Sequence, residues 1–188
     1  MKNKLSYLSS LISHLSSRQG FTLIELLWSV AITAMLSAVG IAAFFTFSRM
    51  QVLNNAASEF ATTLNTAKSL TQSQAEPASK RPCVGSLPSS YIFDGYKVTI
   101  IDPSTYKLEA QYTPSAGSSK CVSTILDQKG NPTRKLPDGV TFGSSPSFFF
   151  PVLSGGVTIT GVSTVTLTGI LGTSKTISVS PSGLITSN

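Results

Sequence analysis

The chain has 188 residues, a formal net charge of +6, and 12% charged against 41% hydrophobic side chains. A soluble globular domain is usually about a quarter charged, so this balance excludes both a disordered polar chain and the surface of an ordinary cytosolic enzyme. One histidine, His14, and two cysteines leave almost no material for histidine-based catalysis or a His/Cys zinc site. The length fits one domain of ordinary size plus an appendage.

The first segment, 1–20, is a basic leader that carries Lys2, Lys4, His14 and Arg18. Residues 21–47 follow as FTLIELLWSVAITAMLSAVGIAAFFTF, in which only Glu25 is charged. The uncharged stretch 26–47 is 22 residues long. As a helix it measures roughly 33 Å, enough to cross a hydrocarbon layer of about 30 Å. Beyond it come Arg49 and then no basic residue until Lys68. The bias of positive charge toward the leader predicts a single-pass span with the N-terminus cytoplasmic and the remainder exported. A secretory signal cut near Ala42 or Ala43 is the alternative. The run is longer than the 7–15 apolar residues of such signals, and Glu25 inside it costs about 2–3 kcal/mol at full depth. A plain anchor leaves Glu25 unexplained.

Residues 17–27 read SRQGFTLIELL. This stretch resembles the processing site of type IV prepilins and of type II secretion pseudopilins: a basic leader, a Gly, a Phe, and a Glu five residues into the mature chain. The resemblance implies a pilin-like fold. It implies cleavage between Gly20 and Phe21 by a membrane-embedded prepilin peptidase and N-methylation of the new Phe21 amine. It further implies that Glu25 meets the N-terminal amine of a neighbouring subunit during assembly. A lone carboxylate in an apolar layer is costly and a cation offsets that cost. Snorkelling of Glu25 to the headgroups is the other reading of the same position. The implied partners are the peptidase, sibling pilins, an assembly ATPase and a platform protein in the inner membrane, with a periplasmic or extracellular filament as the destination.

From 48 to 74 there is neither Pro nor Gly, and Leu53, Ala57, Phe60, Leu64 and Ala67 recur at helical spacing. Met50, Ala56, Ala61 and Leu70 widen the stripe, while Asn55, Glu59, Thr62, Asn65, Thr66 and Ser69 occupy the other side. The pattern predicts that the helix continues to about Gln74 with one face to bury, ended by Glu76-Pro77. The following domain is the nearer partner for that face than a coiled-coil dimer. Residues 64–69 loosely resemble the matching stretch of H-type minor pseudopilins and related minor pilins.

The domains predicted are therefore a leader 1–20, a membrane half-helix 21–47, an amphipathic half-helix 48–75 and an exported β-rich region 76–188. Within the last, 96–101 and 106–112 read as a hairpin turned at Asp102-Pro103-Ser104. Further strands are expected at 121–126, 139–142, 147–150, 164–170, 176–179 and 184–186. The fold class expected is α+β, one antiparallel sheet receiving the helix stripe on its inner face. The segment from Gly155-Gly156-Val157 to Ile185 resembles the end of the H-type pseudopilin fold, where a final hairpin closes the sheet beside a Ser-x-Gly turn. The middle, 83–135, carries no such resemblance and holds what is particular to this chain.

Candidate chemistry is sparse. No catalytic residue, metal site or cofactor is assigned. Cys83 and Cys121 form no CxxC; in an exported domain they are candidates for a disulfide, with two free thiols as the alternative. Asp127, Asn131 and Asp138 offer oxygen ligands in one polar loop but match no EF-hand spacing. In the Phe148-Phe149-Phe150 run, strand alternation puts Phe149 on the face opposite its neighbours. Some minor pilins bind DNA, but loss of Lys2, Lys4 and Arg18 lowers the net charge from +6 to +3. Lys80-Arg81 and Lys129 with Arg134-Lys135 are then the only basic clusters, which argues against strong phosphate binding. The function expected is structural: a minor pilin or pseudopilin, the alternatives being a major pilin, a DNA-uptake minor pilin or a membrane-anchored enzyme.

Overall fold

The computed structural model of the protein describes residues 20–75, 91–114, 121–125, 130–152 and 154–188. The chain divides into two compact units, Met1–Phe45 and Thr46–Asn188. One helix, α1, runs over Leu23–Gln72. Its last turn closes with the Gln74 amide on the Thr71 carbonyl (3.1 Å) and the Ala75 amide on the Leu70 carbonyl (3.0 Å). Gln74 sits at φ 51°. This is a Schellman stop with Gln in the left-handed position that Gly usually fills. The helix thus ends two residues before the predicted Gln74, and the Glu76-Pro77 breaker lies outside the described residues.

Among the described residues of the second unit ten strands follow: β1 (Tyr91–Asp102), β2 (Thr105–Pro114), β3 (Cys121–Thr124), β4 (Arg134–Lys135), β5 (Thr141–Phe142), β6 (Ser147–Pro151), β7 (Thr158–Thr160), β8 (Thr164–Thr168), β9 (Ser174–Val179) and β10 (Ile185–Ser187). They build two antiparallel sheets where the periodicity had suggested one. The larger has the order β3-β2-β1-β6-β7 with β4 also on β2, and the smaller β10-β9-β8-β5. The β1–β2 hairpin forms as expected, with Asp102 paired to Thr105 so that only Pro103 and Ser104 lie in the turn. The final β9–β10 hairpin closes through Ser180 and Leu184, beside the Ser182-Gly183 pair.

Strand alternation and register stack the core in rows. On one face of β1, Tyr96 stands between Ala110 and Phe150, and Val98 between Leu108 and Phe148. The small Ala110 leaves room for the Tyr96 ring beside it. In the other sheet Val165 pairs with Ile177. The α1 stripe Leu53, Ala56, Ala57, Phe60, Leu64 and Ala67 joins both sets in one core. Phe60 is the joint: its ring lies 5.1 Å from Tyr106 of the larger sheet and 5.1 Å from Phe142 of the smaller. The architecture is α+β and pilin-like, with a long N-terminal helix packed on antiparallel sheets. The polar flank predicted for the helix, including Asn55, Glu59, Thr62 and Asn65, is exposed.

Close backbone packing fixes one glycine. Gly95 has φ 147°, and a Cβ there would lie 2.0 Å from the Phe150 carbonyl oxygen across the β1–β6 ladder. Phe148 and Phe150 are buried and Phe149 is half-buried on the opposite face. The alternation argument therefore holds for that run.

Candidate functional site

The segment that begins at Gly20 starts as a helix does. Thr22 is the N-cap: its carbonyl accepts the Leu26 amide (3.1 Å) and its Oγ1 accepts the Glu25 amide (3.3 Å). Thr22-Leu23-Ile24-Glu25 is thus a capping-box sequence, with Glu25 at N3. A carboxylate in the first turn also faces the positive end of the helix dipole. Sequence reasoning gave Glu25 an assembly role, with snorkelling to the headgroups as the alternative, and missed this local one, although the T-x-x-E spacing carried it.

Gly20 is exposed, and a Cβ built there meets nothing within 4 Å. No packing among the described residues calls for Gly at that position. The side chains that follow are turned outward: Phe21, Leu23, Leu26, Leu27 and Trp28 are all largely exposed. The same holds along the whole apolar run, none of which is buried, and α1 is long and apolar enough to cross a membrane. The ion pairs among the described residues are Lys107–Glu109 (2.6 Å) and Lys135–Asp138 (3.0 Å), neither of which involves Glu25.

Hydroxyls within the run are satisfied by the helix itself. Ser29 Oγ donates to the Leu26 carbonyl (2.9 Å), Thr33 Oγ1 to Ser29 (2.7 Å) and Ser37 Oγ to Thr33 (2.7 Å). An apolar surrounding requires this internal pairing, because no water is present to replace it.

The remaining candidates are dispersed. Cys121 opens β3 half-buried and is not a free thiol; Cys83 lies outside the described residues. So do Lys80, Arg81, Asp127, Lys129 and the leader residues Lys2, Lys4, His14 and Arg18. Asp138 pairs with Lys135. Among the described residues no group of three or more His, Cys, Asp or Glu is placed to hold a metal ion. Arg134 does not join Lys135 as a surface basic patch. Its Nη1 donates to Thr63 Oγ1 (2.9 Å) on α1. That hydroxyl also donates to the Glu59 carbonyl and lies 3.5 Å from the Tyr106 hydroxyl. Burial raises the Tyr106 phenol above its ordinary value, only partly countered by the Thr63 contact. The phenol therefore stays protonated, and the cluster acts as a polar fastening between helix and sheet.

In a comparison with family models, residues 15–41 fit a model described as a prokaryotic N-terminal methylation motif. Comparison with curated proteins and with solved structures finds no match.

Proposed function

We propose that this chain, which carries a type IV pilin-like prepilin leader, is a minor pilin or pseudopilin. In this reading it is cut between Gly20 and Phe21 and assembled through the helix that the cut leaves behind. The observation that carries it is the methylation motif, which covers residues 15–41 and so runs from the leader into an outward-facing apolar run. A secretory signal loses its apolar run on cleavage, whereas cleavage at Gly20 retains it. The motif implies processing by a prepilin peptidase and assembly with other pilins, and a family with this motif is structural. The open space around Gly20 supports a requirement for Gly set by the peptidase, since no internal contact accounts for it.

Cleavage creates a cation at Phe21, one turn from Glu25. In the membrane, the Thr22 cap and the helix dipole help carry the carboxylate. In a filament, the methylated Phe21 amine of a neighbouring copy neutralises it. The N-terminus faces the cytoplasm before extraction, and the energy for extraction comes from an ATPase acting through a platform protein. Cys121 closes a disulfide with Cys83, the other cysteine of the chain, after export. The minor assignment rests on the likeness of the C-terminal hairpin segment to H-type pseudopilins, and scarcity in sheared filaments checks it.

The test is the N-terminus of the membrane-inserted protein. Mass spectrometry should find a chain starting at N-methylated Phe21, and Gly20→Leu should retain the leader. A Gly20→Leu chain that still begins at Phe21 refutes the assignment. Glu25→Ala should insert into the membrane and mature normally but be depleted from filaments; undiminished incorporation refutes the assembly role.

A further inference from the structure

The smaller sheet ends in β10, which pairs on one side with β9 and has no strand on the other among the described residues. The Thr176 and Asn188 backbones exchange two bonds (3.0 and 2.9 Å), and the Ser180 amide donates to the Leu184 carbonyl (2.9 Å). Bonded and unbonded pairs alternate along an antiparallel ladder. Leu184, Thr186 and Asn188 therefore turn their backbone groups toward β9, while Ile185 and Ser187 turn theirs outward to the open edge. That edge lacks the usual guards against strand pairing. Residues 185–187 carry neither charge nor Pro, and their register with β9 runs without a bulge.

Beside this edge lies a groove of about 400 Å³, lined by Asn54, Ser58, Thr62 and Asn65 of α1 and by Lys175 and Ser187 of the sheet. All of these residues belong to the unit Thr46–Asn188. Ser187 is opposite the buried Ile177, and Lys175 is opposite the buried Leu167, so both stand on the sheet face that carries the core. From Asn54 to Asn65 the helix covers about 16 Å. That is the length of about five extended residues. The wall it presents is made of amides and hydroxyls, which donate and accept alike. Lys175 is half-buried and belongs to neither ion pair found among the described residues. The one carboxylate on this stretch of α1, Glu59, lies 3.5 Å from the Tyr106 hydroxyl of the larger sheet and does not line the groove.

We propose that the groove between β10 and α1 takes one extended segment of another polypeptide by strand addition, with a carboxylate side chain at the end beside Lys175. The outward amides and carbonyls of Ile185 and Ser187 are spaced as only an extended backbone can match, and they supply the main-chain bonds. Alternate side chains of the added strand then face the amide and hydroxyl wall of α1. Lys175 is the single cation lining the groove, which suits one carboxylate and not the run of phosphates of a nucleic acid. Every ladder in the two sheets is antiparallel. An added strand that keeps this sense places its N-terminal end beside Ser187 and Lys175, so the acidic residue belongs at that end.

The full chain in detergent micelles is titrated against acetyl-Glu-Thr-Val-Thr-Val-Thr carrying fluorescein at its C-terminal end, with polarisation as the readout. Two further probes have Lys in place of the Glu, or Pro in place of the second Thr. The acidic peptide should bind saturably and about fivefold more tightly than the Lys peptide, the ratio expected of one partly exposed ion pair. The Pro peptide should not bind. Lys175→Glu should invert the preference between the first two. Ser187→Pro removes an outward amide while its neighbours keep the bonds to β9, so it should weaken the acidic peptide about tenfold with the unfolding temperature unchanged. Should Ser187→Pro unfold early, the inversion by Lys175→Glu decides alone. Absence of saturable binding overturns the proposal, as does equal binding of the acidic and Lys peptides to both the wild type and Lys175→Glu. Binding of the Pro peptide as tight as that of the acidic one excludes strand addition. Self-association of the wild type, seen by light scattering and lost in Ser187→Pro, overturns the proposal in favour of a contact between copies.

Discussion

Asp102 organises the tightest turn of the larger sheet. Its Oδ1 accepts the amides of Ser104 and Thr105 (both 2.8 Å), and its Oδ2 accepts the Thr105 hydroxyl (2.6 Å). The Thr105 hydroxyl, followed by the Ser104 amide, holds the carboxyl below its ordinary value. These bonds favour the charged form. A carboxylate whose folded value is lowered contributes stability in full above the unfolded value, and the contribution fades as pH falls through the folded one. Asp102→Asn should therefore flatten the acid limb of the stability profile while leaving neutral-pH secondary structure intact. Thermal unfolding of both proteins across the acidic range checks this. The Asp-Pro-Ser sequence marked the turn in advance because Asx side chains bond the backbone two and three residues on. Gly95 gave no such local sign: its requirement comes from the Phe150 carbonyl, 55 positions away in the chain.

At the scale of elements, the second half of α1 was legible because burial follows a period of near four, and every residue of the main stripe is buried. Thr63 and Thr71 are buried as well and broke the pattern, since hydroxyls read as polar. Each bonds a carbonyl one turn back, and Thr71 Oγ1 also donates to the Phe150 carbonyl (3.2 Å), so burial leaves neither of these two hydroxyls unsatisfied. β4 and β7 were missed for a different reason. They span two and three residues, too short to show alternation, and β4 is Arg134–Lys135. The helix stop offers a test. Gln74 pays the left-handed penalty of an L-residue, which Gly avoids. Gln74→Gly should raise stability by about 0.5–1 kcal/mol after the entropy of the freer unfolded chain is deducted. Denaturant midpoints of the two proteins measure it; a loss of stability contradicts the Schellman assignment.

For the whole molecule, periodicity located most strands but could not sort them into sheets. β6 pairs with β1 across about fifty intervening positions, and β5 crosses over to β8. Such partners are chosen by shape and register in the core, not by local propensity. The N-terminal segment was the opposite case, since its meaning is carried by a contiguous motif. The proposed Cys83–Cys121 bridge acts at this scale. Closing a loop of that length stabilises by about 4 kcal/mol in the chain-entropy view. Reductant should lower the unfolding temperature of the wild type but not of Cys83→Ser/Cys121→Ser. Equal sensitivity of the two proteins would count against the bridge.

The hydroxyls of Ser29, Thr33 and Ser37 are each spent on a carbonyl of their own helix. Nothing polar on that stretch then has to be stripped of a partner when its surroundings change. Acyl chains and the apolar flanks of sister helices are nearly equivalent solvents for such a surface. Its passage from one to the other is close to an exchange at constant polarity, and the same holds for the return. In the proposed assembly, most of the resistance to leaving the bilayer would then fall on the one charged side chain in the run, Glu25, and on the cation proposed to meet it.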